Sequence, residues 1–243
     1  MPFTFSHPAL ILPFKNVSGK RVSLTALALG SMAPDFEFFF RMRAETDISH
    51  TLKGIFLFDI PVVLLMAMVY HGWVRNPFLA HLPPFLRNRL AVYTSFNWLA
   101  YLRENWLIVL TSAFLGTVTH FLCDDFTHHY GWTANNLSLL SASYELAGHS
   151  VPGYHILQYL SSLVLGGFLV VEALKLPLTS REGLHPNFSL FWGIVVLITV
   201  PTFVLRFTLR DRVMTMDDTI MTAIAAGMLG LLVACTVANL TKK

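Results

Sequence analysis

His120, Asp124 and His128 stand four residues apart in the segment HFLCDDFTH, so a helix continuing through Phe126 projects all three along one stripe. An imidazole and a carboxylate one turn apart can hold the same divalent ion, as zinc sites do at about 2.0–2.2 Å. The same residues can equally pair with one another or cap the helix end. The metal reading gains from the company they keep, since His7, Asp35, His50, His129, His149 and His155 all fall near the ends of neighbouring apolar runs. Asp35 sits in GSMAPDFEF, where Gly30 and Pro34 end a short apolar stretch and present either an ordinary turn acid or a ligand.

What must position these groups is a set of membrane helices. The chain of 243 residues is 54% hydrophobic and 13% charged, against roughly 25% charged in an ordinary soluble domain, too little to cover a folded surface with polar groups. Five runs approach the about 20 apolar residues needed to cross a hydrocarbon layer roughly 30 Å thick. They cover residues 55–74, 106–123, 156–174, 190–207 and 219–240. A sixth stretch, 22–33, is too short to cross and reads as a re-entrant or interfacial helix. The expected fold is therefore all-α, a polytopic helical membrane protein forming a single domain over 1–243. Counting crossings puts the N-terminal segment, the end of the second run and the start of the third on one face, where seven of the histidines gather.

Asp59 is the one acid in mid-run, and Pro61 just after it is expected to kink the first helix. His71, His81 and His185 belong to the opposite face and receive no metal role. Trp73, Trp98, Trp106 and Trp192 at run ends read as interfacial anchors. The net charge of +3 comes from basic residues scattered along short loops, so no nucleic-acid partner is expected. Those residues divide almost evenly between the two faces and do not orient the chain, although residues 124–155 contain no Lys or Arg. Cys123 and Cys235 lack the spacing of a disulfide framework or a thiolate site. The N-terminus lacks the pattern of a cleaved signal peptide, so no removal is expected.

The segments SHPALILP at 6–13, GSMAPDFEFF at 30–39, ISHTLKGIFLFDIP at 48–61 and HFLCDDFTHHYGW at 120–132 resemble a bacterial membrane-protein family, domain of unknown function 4184, over nearly the whole chain. More distantly, the order of His and Asp is similar to the ligand order of zinc-dependent phospholipase C and of inner-membrane metal-dependent hydrolases. That resemblance implies His7, Asp35, His50, His120, Asp124 and His128 as ligands of a divalent metal, with zinc the expected ion, in a bacterial inner (cytoplasmic) membrane. The closing HxxxE pair and N-terminal Trp ligand of the phospholipase pattern have no counterpart here; Glu145 and His149 stand in reversed order.

The leading expectation is a membrane-embedded hydrolase acting on a phosphodiester or lipid headgroup at the bilayer surface, with Glu37, Asp125, His129 or Glu145 as base or outer support. The alternatives are a structural ion stapling the N-terminal segment to the first two spans and, behind it, a transporter whose pathway includes Asp59. A transporter is expected to show repeated halves or several mid-span charges, and the sequence has neither.

Overall fold

The computed structural model describes residues 4–16, 21–179, 187–209 and 213–241; His185 lies outside them. Among the described residues, five helices are long and apolar enough to cross a membrane: Leu52–Ala80, Trp106–Thr127, Gly153–Leu174, Phe188–Thr208 and Met216–Leu240, the second being followed closely by a short helix, Trp132–Asn136. These are the first to fifth spans. Several begin a few residues before the apolar runs do, because polar caps start them. Thr51 Oγ1 accepts from Gly54 N–H at 2.9 Å, Asn187 Oδ1 accepts from Leu190 N–H at 3.0 Å, and Thr215 and Asp218 form a reciprocal capping box. In the most apolar stretch of the third span, and again of the fourth, only 6% is buried by protein, so their sides are left to the hydrocarbon.

The first span is not a uniform α-helix. Residues Ile55–Asp59 form a π turn in which Ile60 N–H reaches back to Ile55 O, directly before Pro61, which has no N–H to donate. A second π turn covers Tyr70–Val74. The expected irregularity at Pro61 therefore takes the form of a widened turn. Asp59 closes that turn and is fully buried.

Packing gathers the chain into two compact units. The first comprises Met1–Asp35, Ile48–Val63 and Asn105–Glu172. Its N-terminal segment, Thr4–Asn16, is a 3-10 helix carrying Pro8 and Pro13. The short apolar stretch becomes the helix Leu24–Gly30, capped by Ser23, and it lies along the second span from Ser112 to His120. Those positions span about two helical turns. Two glycines permit this approach: a Cβ on Gly116 would stand 2.3 Å from Leu27 O, and one on Gly30 2.4 Å from Ala113 O. Between the second and third spans, strands β1 (Ser143–Leu146) and β2 (His149–Pro152) form an exposed antiparallel hairpin. Its turn is Ala147-Gly148, both with positive φ.

The second unit comprises Phe36–Asp47, Leu64–Glu104 and Ala173–Lys243. There the fourth and fifth spans pack around Phe191, Ala234 and Cys235. Arg75 is buried with its guanidinium bonded to Phe96 O, Thr94 O, Asn76 Oδ1 and His71 Nδ1 at 2.7–3.1 Å, which satisfies the charge with carbonyls and polar side chains. Trp98 differs from its expected role as an interfacial anchor. It is buried and stacks on His71 with ring centroids 5.2 Å apart.

Candidate metal centre

The crossing of Gly30 and Gly116 fixes the site. Ser31 follows Gly30, and its carbonyl accepts from His120 Nδ1 at 2.9 Å. A carbonyl can only accept, so Nδ1 carries a proton, and Nε2 is left to donate to an acid or, with a cation between them, to offer its lone pair. It points at two carboxylates: Asp124 Oδ2 at 3.3 Å, one turn further along the second span, and Asp35 Oδ1 at 3.6 Å, at the exit of the short helix. His7 repeats the arrangement. Its Nδ1 meets Thr4 O at 3.2 Å, its Nε2 lies 4.0 Å from Asp124 Oδ1, and its ring stacks on that of His120 with centroids 4.5 Å apart.

His50 closes the group from the start of the first span. Gly54 lets the Ile48–Ser49 backbone press against the helix start, since a Cβ there would meet Ile48 O at 1.9 Å. Ser49 Oγ then meets His50 Nδ1 at 2.9 Å, while His50 Nε2 lies 3.8 Å from Asp35 Oδ1 and 3.6 Å from Asp124 Oδ2. Thr4 Oγ1 donates to the other oxygen of Asp35. Three histidines thus have Nδ1 engaged by carbonyls or a hydroxyl and turn Nε2 inward, the support by which ligand imidazoles are held.

The spacing suits a metal. A tetrahedral zinc with ligands at about 2.0–2.1 Å separates them by about 3.3 Å; five imidazole–carboxylate pairs here lie 3.3–4.0 Å apart, and the ligand atoms of each three-residue group all fall within 4.8 Å of one another. Two ligand groups result, His7 with Asp35 and His120, and His50 with His120 and Asp124. Both use His120 Nε2, which has one lone pair, so they describe one centre and not two. His7 Nε2, His120 Nε2 and Asp124 Oδ1 are buried and face ion partners at 3.3–4.0 Å without hydrogen-bond geometry, an arrangement that a bound cation would relieve.

His128 meets Asp124 but is in neither ligand group. The second span ends at Thr127, and the backbone of His128 is extended at φ −124°, ψ 148°. Its Nδ1 lies 3.3 Å from Asp124 Oδ1 and 3.1 Å from Thr127 Oγ1, and Nε2 faces Gln158 Nε2 at 3.5 Å. His128 therefore touches the acid from outside.

The four residues considered as bases are placed elsewhere. Asp125 accepts from the backbone N–H groups of Trp132 and Thr133 at 2.7–3.4 Å and caps the helix Trp132–Asn136. His129 is exposed with its ring edge on Tyr130. Glu145 is exposed on β1 opposite Ser150. Glu37 lies in the second unit, where it pairs with Arg41 at 2.6 Å and accepts from Asp47 N–H at 3.0 Å. Asp59 is in neither ligand group.

Sequence reasoning missed Tyr130, whose hydroxyl donates to Asp124 Oδ2 at 3.0 Å, and the backing groups Thr4, Ser31 and Ser49. Ser49 had a signal, being adjacent to His50; the carbonyls of Thr4 and Ser31 had none, because any residue type supplies a carbonyl. Ser49→Ala and Tyr130→Phe each remove one support and are expected to weaken metal affinity about tenfold, near the lower end of the range for such groups. Competition with a chromogenic zinc chelator reads the change, and unaltered affinity in both variants would show that these contacts do not hold the ligands.

Burial, and then the neighbouring His120, push the pKa of His7 down from 6.5 to about 4 against the pull of Asp35 and Asp124. His7 is thus neutral near pH 7 and able to offer its lone pair. In the unfolded chain it takes up a proton below about pH 6.5 that the folded chain refuses until about 4. Metal-free protein should therefore lose up to about 3 kcal/mol of stability from this group as pH falls through that window. Melting curves in chelator at pH 7 and pH 4.5 test it, against a His7→Gln variant whose dependence should be shallower.

Taken together, the spans and the cluster define a helical integral membrane protein with a buried His/Asp centre at one end of its second span. The chain belongs to the family described as domain of unknown function 4184, whose model matches residues 1–236. No curated protein and no solved structure matches it.

Proposed function

We propose that the protein is a membrane-embedded hydrolase that uses one divalent ion, zinc by ligand type, to cleave a phosphodiester of a lipid headgroup, and that it works in the inner membrane of a bacterium. The observation that carries this reading is that two groups of three His and Asp ligands share His120, each group within 4.8 Å, with imidazole–carboxylate distances of 3.3–4.0 Å near the edge length of a zinc tetrahedron. His50 is 17% exposed while His7 and His120 are sealed, so the centre lies nearest the outside at His50.

A bound zinc would supply a Lewis acid for the phosphoryl oxygen and a water nucleophilic near neutral pH. In the hydrolysis, water oxygen adds to phosphorus, the ester P–O bond breaks, and the water proton ends on the departing alcohol oxygen. His128 and Tyr130, both against Asp124 at its outer side, are the groups placed to pass that proton.

The near-complete burial of His7, Asp35 and His120 favours a second reading, a closed structural ion. Elemental analysis of protein purified in mild detergent, without chelator or His-tag, decides the metal: about one equivalent of zinc is expected, and none after equilibration with zinc would sink both readings. Cobalt substitution then separates them. An open centre changes its visible spectrum when phosphate is added, and a closed one does not.

A further inference from the structure

A groove of about 600 Å³ opens within the first unit between the second and third spans, lined by Leu10, Cys123, Phe126, Thr127, Leu157 and Val164 among others. We propose that it holds one acyl chain of the lipid whose headgroup reaches the His/Asp centre, so that the substrate is a membrane glycerophospholipid and not a soluble phosphodiester. This rests on the hydrolase reading for the headgroup end; the groove itself is argued independently.

The groove and the centre share their walls. In a 3-10 helix, residues three apart eclipse one another, so Leu10, in the groove, sits one turn above His7, at the centre. On the second span, Cys123 and Thr127 line the groove while Asp124 faces the cluster, and Thr127 Oγ1 meets His128 Nδ1 at 3.1 Å. A single amphiphile can therefore occupy both.

The chemistry of the wall selects hydrocarbon. Three hydroxyls border the groove, and each is turned back on its own helix: Thr119 to Gly116 O at 2.7 Å, Thr127 to Cys123 O at 2.9 Å and Ser161 to Gln158 O at 3.0 Å. Each donor is spent within its helix, and the remaining surface is leucine, valine, phenylalanine and a thiol. The lining from Leu157 to Leu165 runs about 12 Å along the third span, and the volume lies within the about 300–1,000 Å³ of small-molecule sites. That is the shape of an extended chain. Only 6% of the third span's apolar stretch is buried by protein, so the groove opens to the bilayer that would supply the lipid.

The test uses full-length protein in nanodiscs containing a phosphatidylcholine with a mid-chain diazirine. On photolysis, peptides covering 119–127 and 157–165 should carry about tenfold more label than the equally apolar fourth span, and Ser161→Trp, which fills the groove, should remove the excess. In parallel, the ratio of long-chain phosphatidylcholine to short-chain, water-soluble phosphodiester turnover should fall about tenfold in that variant. Monodisperse elution and an unchanged melting temperature establish that it folds, with Val164→Trp as the replacement where it does not. Label spread evenly over groove and fourth span overturns the proposal, whatever the turnover. Specific label with no hydrolysis of any phosphodiester keeps the acyl site and overturns the hydrolase reading instead.

Discussion

The double variant His120→Ala, Asp124→Ala is expected to purify with less than about a tenth of an equivalent of zinc, where the unaltered protein is expected to hold about one. His120 is the member common to both ligand groups, and Asp124 is the carboxylate that His7, His50, His120, His128 and Tyr130 all approach within 4.0 Å. Losing both leaves at most His7, His50 and Asp35, and these no longer share a neighbour that holds their spacing. Outer supports alone alter affinity about 10–100-fold, so removing two direct ligands should exceed that range. Truncating a buried imidazole also leaves a void, and His120→Asn with Asp124→Asn serves as the filled counterpart, with similar volume and hydrogen-bonding capacity but no carboxylate. Mass-spectrometric metal content on both, with melting temperature alongside, separates lost ligation from lost folding. Unchanged stoichiometry in the folded asparagine variant would end the assignment of this cluster as the metal site.

Gly116→Val is expected to be among the most damaging single substitutions that replace no polar side chain. Its first added carbon would stand 2.3 Å from Leu27 O and 2.9 Å from Ser31 N, and both neighbours are backbone, which cannot swing aside. The short helix must therefore move off the second span. Overpacking of this kind costs about 1–3 kcal/mol, occasionally more. The consequence for the centre is sharper than for the fold, because the Ser31 carbonyl that orients His120 and the Asp35 carboxylate both ride on the displaced segment. Zinc affinity should fall about 10–100-fold even where the protein still folds. Gly166→Ala in the third span is the control: a Cβ there meets nothing within 4 Å, so the substitution should be neutral or raise helix stability by up to about 1 kcal/mol. A melting temperature and zinc affinity that respond alike in the two variants would show that the crossing does not set the geometry of the centre.

The spans were legible in the chain because crossing hydrocarbon demands length and apolarity, and both are properties of a linear string. The common face of the N-terminal segment, the second span's end and the third span's start follows from counting crossings, which is topology without coordinates. The i, i+4 relation of His120 to Asp124 is likewise local, since helix geometry alone places them one turn apart.

The same local rule brings His128 to Asp124, 3.3 Å from Oδ1, but into neither ligand group, because the helix stops at Thr127. Neighbouring residues of like type parted company for a related reason: Asp124 faces the cluster while Asp125 turns out to cap Trp132, a consequence of the 100° between successive helical residues that composition does not weigh. The family resemblance grouped His7, Asp35 and His50 with His120, but no local rule on the string reaches their meeting. It depends on two glycines, 30 and 116, packing backbone on backbone, and on carbonyls of Thr4 and Ser31 that every residue type would supply. Sequence determined which groups are present and that they gather at one face; the depth of one helix crossing decided that their ring nitrogens and carboxylates turn toward one another.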